Sequence, residues 1–214
     1  NVDSANVVIN VINLVEQVYA GYGNALSFDN IDDQVTLPID LSFNTTEFSI
    51  EAWVYWTGST NDIDYISGKG FGKYELHTGG TSGSNSIRFI PTDQVWIDAP
   101  TGSFLPNKWN HLVGVYNPSV SLGKVYINGL DVGAISNGVN GLSTAVVNTT
   151  SDVIIGRRAN GDFPFNGNID EFKLWNKALT AKEVSQSYLL RSNQNEINLV
   201  AYLNFDNQWE DFDN

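Results

Sequence analysis

Between Ala25 and about residue 165 the apolar residues come in short runs, and Gly, Asn, Asp, Ser and Thr break each run. Runs of that length with period-two alternation make strands, not helices. The segments that read as strands are 25–28, 34–37, 48–56, 64–67, 73–77, 86–90, 94–98, 109–116, 124–128, 131–135 and 152–156, with 169–175 and 198–205 farther on. Asn128-Gly129 supplies a hairpin turn of the type that needs positive φ. Residues 78–85, TGGTSGSN, read as a second hairpin connection, and 137–150 as a long polar loop. Asn44-Thr45-Thr46 and Asn148-Thr149-Thr150 match the N-glycosylation pattern.

Residues 166–190 compress turn, strand, turn and helix into one stretch. Simple alternation through Ile169–Trp175 puts Asp170, Phe172 and Leu174 on one face and Ile169, Glu171, Lys173 and Trp175 on the other. Thr180 and Glu183 form a capping box, with Leu179 and Val184 at the staple positions, so a helix is predicted over 181–190. Asp170 does not fit its apolar face. A carboxylate there is costly unless paired, hydrogen-bonded or metal-bound.

Five motifs in order carry a family resemblance: ALSFDNIDDQVTL at 25–37, FSIEAWVYW at 48–56, WNHLVGVYNPSVSLGKVYING at 109–129, GNIDEFKLWNKALT at 167–180 and NLVAYLNFD at 198–206. Together they resemble the laminin-G-like, concanavalin-A-like jelly-roll domains of bacterial surface proteins, over residues 22–206. The resemblance implies an all-β fold of two antiparallel sheets packed as a sandwich, with one short helix in the C-terminal half. It constrains ligand poorly, because one fold hosts many functions.

Residues 4–20 carry an apolar stripe at helical spacing (Val7, Val8, Val11, Ile12, Val15, Val18), which predicts an N-terminal helix or linker over 1–21. Its spacing weakly resembles the end of a dockerin-type calcium loop and its helix. Residues 207–214 read as a tail.

The net charge of −13 argues against binding a phosphate backbone, so no nucleic-acid partner is expected. No apolar run is long enough for a membrane-spanning helix, and no membrane insertion is expected. The chain has no cysteine, which removes disulfide and thiol chemistry.

Catalytic constellations are poorly represented. Glycoside hydrolysis needs two carboxylates facing each other across a sugar. The E-x-D-x-x-E pattern of related glucanases is absent, Glu51 and Glu75 lack acidic partners at i±2, and Asp62 with Asp64 sits in a turn-rich stretch. Of the two histidines, His111 reads as a buried, hydrogen-bonded strand residue and His77 as a surface residue ending a strand. The domain therefore reads as a non-enzyme.

Calcium is the expected cofactor, since hard cations take oxygen ligands from Asp, Asn and carbonyls. Two acid-rich turns qualify, 29–33 and 168–170. In the resembling domains the opening and closing strands lie side by side and many hold a structural calcium there, which implies Asp29 and Asp170 as ligands, with Asn30 and Asp32 beside them. Aromatic rings stack on the C–H faces of sugars, while Asp, Asn and Arg take their hydroxyls. Trp96, with Tyr74 or Tyr65, is the candidate platform; Trp53, Trp109 and Trp175 read as core.

The expected protein is a secreted or cell-surface binding module for polysaccharide or glycoprotein glycan. A protein-binding adhesin module without a sugar site is the first alternative and a hydrolase the second.

Overall fold

The computed structural model describes residues 10–12, 17–19, 23–38, 46–58, 63–70, 72–79, 85–93, 95–136, 151–189 and 197–206. In chain order the strands are β1 Asn10–Ile12, β2 Gln17–Tyr19, β3 Asn24–Asp29, β4 Gln34–Leu37, β5 Phe48–Trp56, β6 Tyr65–Lys69, β7 Glu75–Thr78 and β8 Ile87–Thr92. They continue with β9 Val95–Asp98, β10 Trp109–Asn117, β11 Leu122–Ile127, β12 Leu130–Asp131, β13 Ile135–Ser136, β14 Val153–Ile155, β15 Asn166–Trp175 and β16 Leu199–Leu203. Helix α1, Ala181–Leu189, precedes β16. No described helix is long and apolar enough to cross a membrane.

The strands form two antiparallel sheets. The first runs β1-β4-β14-β6-β7-β8-β9-β13; the second runs β12-β11-β10-β5-β15-β3-β2, with β16 also on β15. Alternation sends one side of the longer strands inward. Leu26, Phe28, Ile50, Val54, Ile66, Leu76, Phe89, Ile97, Leu112, Ile155, Phe172 and Leu174 meet in one core between the sheets.

Two expectations fail at the N-terminus. Residues 10–12 and 17–19 are strands, not parts of a helix, and the dockerin-like reading falls with it. β1 pairs with β4 at the edge of the first sheet, and β2 with β3 at the edge of the second. Val11, Ile12, Val18 and Tyr19 are β-branched or aromatic and suit a pleated edge. Ladder hydrogen bonds offered by two open sheet edges outweigh a weak helical period. The 137–150 stretch, the 207–214 tail and Asn44 and Asn148 of the glycosylation patterns lie outside the described residues.

The face assignment of β15 also fails. Asp170 pairs with Trp53 of β5, but Lys173 pairs with Glu51, so three steps on β15 match two on β5. The extra residue is a β-bulge, with Glu171 at φ 52°. Ile169 and Phe172 therefore both point into the core, while Asp170, Lys173 and Trp175 share the outer face with Trp53 and Glu51. The bulge also divides one edge of β15. β3 pairs with residues 166–169 and β16 with residues 172–175, so the two lie end to end. Asp206 locks the joint: its Oδ1 accepts from Asn24 N at 3.0 Å, and its carbonyl accepts from Asn24 Nδ2 at 3.1 Å. Gly23 suits the joint: its φ of 138° disfavours a side chain, and a Cβ would lie 1.7 Å from Asp206 Oδ1 and displace that carboxylate.

Helix α1 lies on the outer face of the second sheet. Val184 and Leu179 are buried against Val113, Val115, Tyr126 and Trp175. The capping box forms as expected: Thr180 Oγ1 accepts from Glu183 N at 3.3 Å, and Glu183 Oε2 accepts from Thr180 N at 2.8 Å. Thr180→Ala should lower the unfolding free energy by about 1 kcal/mol. The check is urea denaturation, with a reduced midpoint and an unchanged slope.

Candidate functional site

The same alternation that fills the core leaves a polar row on the outer face of the first sheet. Inward go Ile66, Leu76, Ile87, Phe89, Val95 and Ile97. Outward, in register across four adjacent strands, lie Tyr65 of β6, His77 of β7, Arg88 of β8 and Asp98 of β9. The Tyr65 and His77 rings stack 5.6 Å apart at 11°. Arg88 grips Asp98 with two bonds, Nε to Oδ1 at 2.6 Å and Nη2 to Oδ2 at 2.9 Å, a geometry that fixes the guanidinium plane. Trp96 sits two residues before Asp98 on the same face and is 36% exposed.

His77 is buried, and burial pushes its pKa down to about 4, with the Arg88 charge acting in the same sense against the Thr78 carbonyl. Its Nδ1 donates to that carbonyl at 2.7 Å, as a neutral imidazole can. Glu75, also on this face, accepts from Gly72 N at 2.6 Å and pairs with Arg158 at 3.4 Å. The Arg158 guanidinium lies 5.8 Å from the ring centres of both Tyr65 and Phe163. Gly68 makes room for this packing: a Cβ there would come within 2.8 Å of the Tyr65 ring. Tyr65 is buried, and burial together with Glu75 raises its phenol pKa.

The expected stacking residues separate. Trp96 is exposed. Tyr65 shares its face but is covered, and Tyr74 turns the other way into the core. A φ of 53° at Tyr74 directs its ring onto Phe48, 4.1 Å between centres. These two tyrosines therefore present no ring face to solvent. His77 is likewise buried instead of surface-exposed, while Trp53 and Trp109 lie partly exposed on the outer face of the second sheet. Of the polar residues on this face, Arg88 and Glu75 carry no sequence signal of a site, whereas Asp98 flanks Trp96 on its strand. Arg88-Phe89 and Trp96-Ile97-Asp98 do show the alternation, but only the register joins them.

The acidic turn after β3 brings together Asp29, Asp32 and Asp33, with one carboxylate oxygen from each within 4.8 Å of the others. Asp29 Oδ1 accepts from Ile31 N at 2.9 Å, and Asp33 Oδ2 accepts from Asp29 N at 2.8 Å. Asn30 takes φ 68°, and its N–H donates to the Phe165 carbonyl at 2.9 Å. Asp33 is buried and its Oδ1 has no partner among the described residues. Burial, joined by the charges of Asp29 and Asp32, pushes Asp33 up to about 6 despite the backbone bond from Asp29. Asp170 is not part of this cluster. Asp29 pairs with Asn166, so Asp170 lies four residues, about 13 Å, along β15. The bulge turns its carboxylate outward, and Oδ1 accepts from Glu171 N at 2.8 Å.

A second polar network is sealed beneath α1. Glu51 accepts from His111 Nε2 at 3.1 Å, Lys173 Nζ at 2.9 Å, Trp175 Nε1 at 3.2 Å and the Ser187 hydroxyl. Since a carboxylate can only accept, His111 Nε2 carries a proton. Glu171 joins through Tyr202 Oη at 2.6 Å and Lys173 at 3.8 Å. Burial alone would raise the Glu51 pKa; the His111 bond and the Lys173 charge outweigh it and hold the group at about 2. The folded pKa is thus below the unfolded value of 4.5, so the contribution to stability is present above pH 4.5 and is lost as pH falls toward 2. Glu51→Gln should lower the melting temperature at pH 7 and flatten its decline through this window, as read by thermal melts from pH 7 to 2.

Residues 28–185 match the model of the Concanavalin A-like lectin/glucanases superfamily. Mouse (Mus musculus) pappalysin-1 is 27% identical over 177 residues, which are 75% of this chain and 11% of pappalysin-1, so the chain spans about a tenth of that relative. Among solved structures, a Bacteroides ovatus protein described as a candidate carbohydrate binder superposes with TM-score 0.64 at 20% identity, covering 85% of this chain and 52% of that one. Domain 4 of AbnA, an extracellular GH43 arabinanase of Geobacillus stearothermophilus solved with arabinotriose, superposes with TM-score 0.63 at 22% identity, covering 83% of this chain and 85% of that one. At such identities the likeness establishes the fold, and the sequence match over most of the strands establishes the kinship: the chain belongs to the concanavalin A-like lectin/glucanase superfamily.

Proposed function

We propose that the domain is a non-catalytic carbohydrate-binding module of a secreted or cell-surface protein, and that the outer face of the first sheet takes the glycan. The observation that carries this reading is the exposed Trp96 ring beside the bidentate Arg88–Asp98 pair. An indole face suits the C–H face of a pyranose or furanose. The planar guanidinium of Arg88, fixed in orientation by the buried Asp98 carboxylate, keeps a set of donors in place for hydroxyls. The buried Tyr65–His77 stack stiffens the floor of the site. Asp98 and Glu75 are each held by an arginine, which favours binding over acid–base chemistry. The carbohydrate-binding solved neighbours support the same class of ligand.

A structural calcium belongs to this reading. The orphaned, buried Asp33 Oδ1 within a three-carboxylate cluster fits a hard cation. Asp29, Asp32 and Asp33 are the residues that would hold it, with Asn30 in the same turn. Bound there, the ion would neutralise the mutual repulsion of the cluster and brace the turn between β3 and β4.

Two measurements test the reading. A glycan array identifies the ligand, and titration of that ligand then compares variants. Trp96→Ala should weaken binding about tenfold or more, and Tyr74→Phe, inside the core, should leave it unchanged. An array blank at every glycan, or turnover of a bound glycan, defeats the proposal. In thermal melts, chelator should lower the melting temperature and calcium restore it, with magnesium much less effective because it demands stricter geometry. At a hundredfold excess over Kd the gain is about 2.7 kcal/mol. Asp33→Asn should remove most of the calcium effect and Asp170→Asn little of it; a melting curve indifferent to chelator refutes the calcium site.

A further inference from the structure

Helix α1 covers only part of the outer face of the second sheet. Under it lie Glu51, Val113, Lys173 and Trp175, all buried. Farther along the same strands the face is open. Trp109 of β10, Tyr55 of β5, Asn168 of β15 and Ser27 of β3 are directly paired from strand to strand, and all four are partly exposed. Their inward neighbours Val54, Ile169, Leu26 and Phe28 belong to the core, so the four side chains point outward together. At the usual strand spacing the row is about 14 Å long.

The chemistry of this row differs from that of the covered half. Glu51 alone accepts four hydrogen bonds there. In the open row the indole N–H, phenol hydroxyl, carboxamide and serine hydroxyl have no hydrogen-bond partner among the described residues. The two rings meet edge to face, 5.8 Å between centres at 61°, an arrangement that holds both in place. No member of the row is charged, in a chain of net charge −13. A partner chosen by ion pairing would find nothing here, and a purely apolar partner would strand four polar groups without bonds, at a cost for each. A ligand with alternating C–H faces and hydroxyls, and no charge, satisfies both rings and all four polar groups.

We propose that this row is a second saccharide-binding surface, separate from the Trp96 face and selective for neutral oligosaccharide lying across the strands. The two faces lie on opposite sides of the sandwich, so one domain would hold two chains at once.

The test uses ¹⁵N-labelled Trp96→Ala protein, in which the first-sheet site is disabled, titrated with cellopentaose, xylopentaose and mannopentaose. At least one should shift the Trp109 Nε1–H and Asn168 Nδ2–H₂ signals in a saturable manner, and Trp109→Ala should weaken that binding about tenfold. Trp109→Phe, which keeps a ring, should recover much of it and also controls for folding. If the two signals stay in place with all three sugars while the protein remains folded, the second surface does not exist. If they move with protein concentration in the absence of sugar, the row is instead a contact between copies and the proposal fails. If Trp96→Ala leaves the affinity of the unmodified protein for glycan unchanged while these shifts are retained, only the first-sheet reading is defeated.

Discussion

The single extra residue in β15 sets the geometry of the second sheet. Without it, Asp170 would face Phe172 and Leu174 in the core, and Ile169 would face out. With it, the strand delivers apolar side chains inward on both sides of the bulge and a carboxylate and an ammonium outward. The outward Lys173 then meets Glu51, and that pair anchors α1 through Ser187 and Trp175. A positive φ at Glu171, uncommon for a residue with a side chain, is sustained because its carboxylate is held by Tyr202 and stands 3.8 Å from Lys173. Backbone strain at one residue is thereby offset by a buried ion network, and the helix depends on both.

Much of the architecture was legible because strand alternation and turn chemistry are local. β5 and β10 follow the apolar pattern closely, and Thr180 with Glu183 announces α1 before any tertiary contact is known. What escaped depends on residues distant in sequence. The bulge is invisible in GNIDEFKLW because its cause is the register against β5. The N-terminal valines read as helical because edge pairing with β3 and β4 leaves no mark on the local period. Tyr74 reads as a candidate stacking ring, yet a left-handed backbone turns it inward. The acidic turn 29–33 is plain in the sequence, but the resemblance implies Asp170 as a ligand, whereas the fold gathers Asp33 with Asp29 and Asp32. The row from Tyr65 to Asp98 is assembled from four strands, and no stretch of sequence contains more than two of its residues.

Burial also separates the two histidines by role. His111 is pinned to a carboxylate inside the sheet–helix interface, where its work is structural. His77 is kept neutral by burial and lies within the polar row, so the charge of that face rests on Arg88, Arg158, Asp98 and Glu75. Those four compensate one another in pairs. With Asp98 and Glu75 buried and each neutralised by its arginine, the face carries no large field of either sign, although the chain as a whole is strongly acidic.

The joint between β3 and β16 has a consequence for architecture. Asn24, where β3 starts, and Asp206, just past β16, are hydrogen-bonded neighbours. β2 folds back into β3 beside the point where the chain leaves β16, so one carboxylate ties the opening hairpin of the second sheet to its closing strand. The tie spans 182 residues of chain and closes that long loop in a protein without cysteine. The Asp206 carboxylate seated in the notch left by Gly23 works as its clasp, so its removal would free the two strand ends before it disturbed the core.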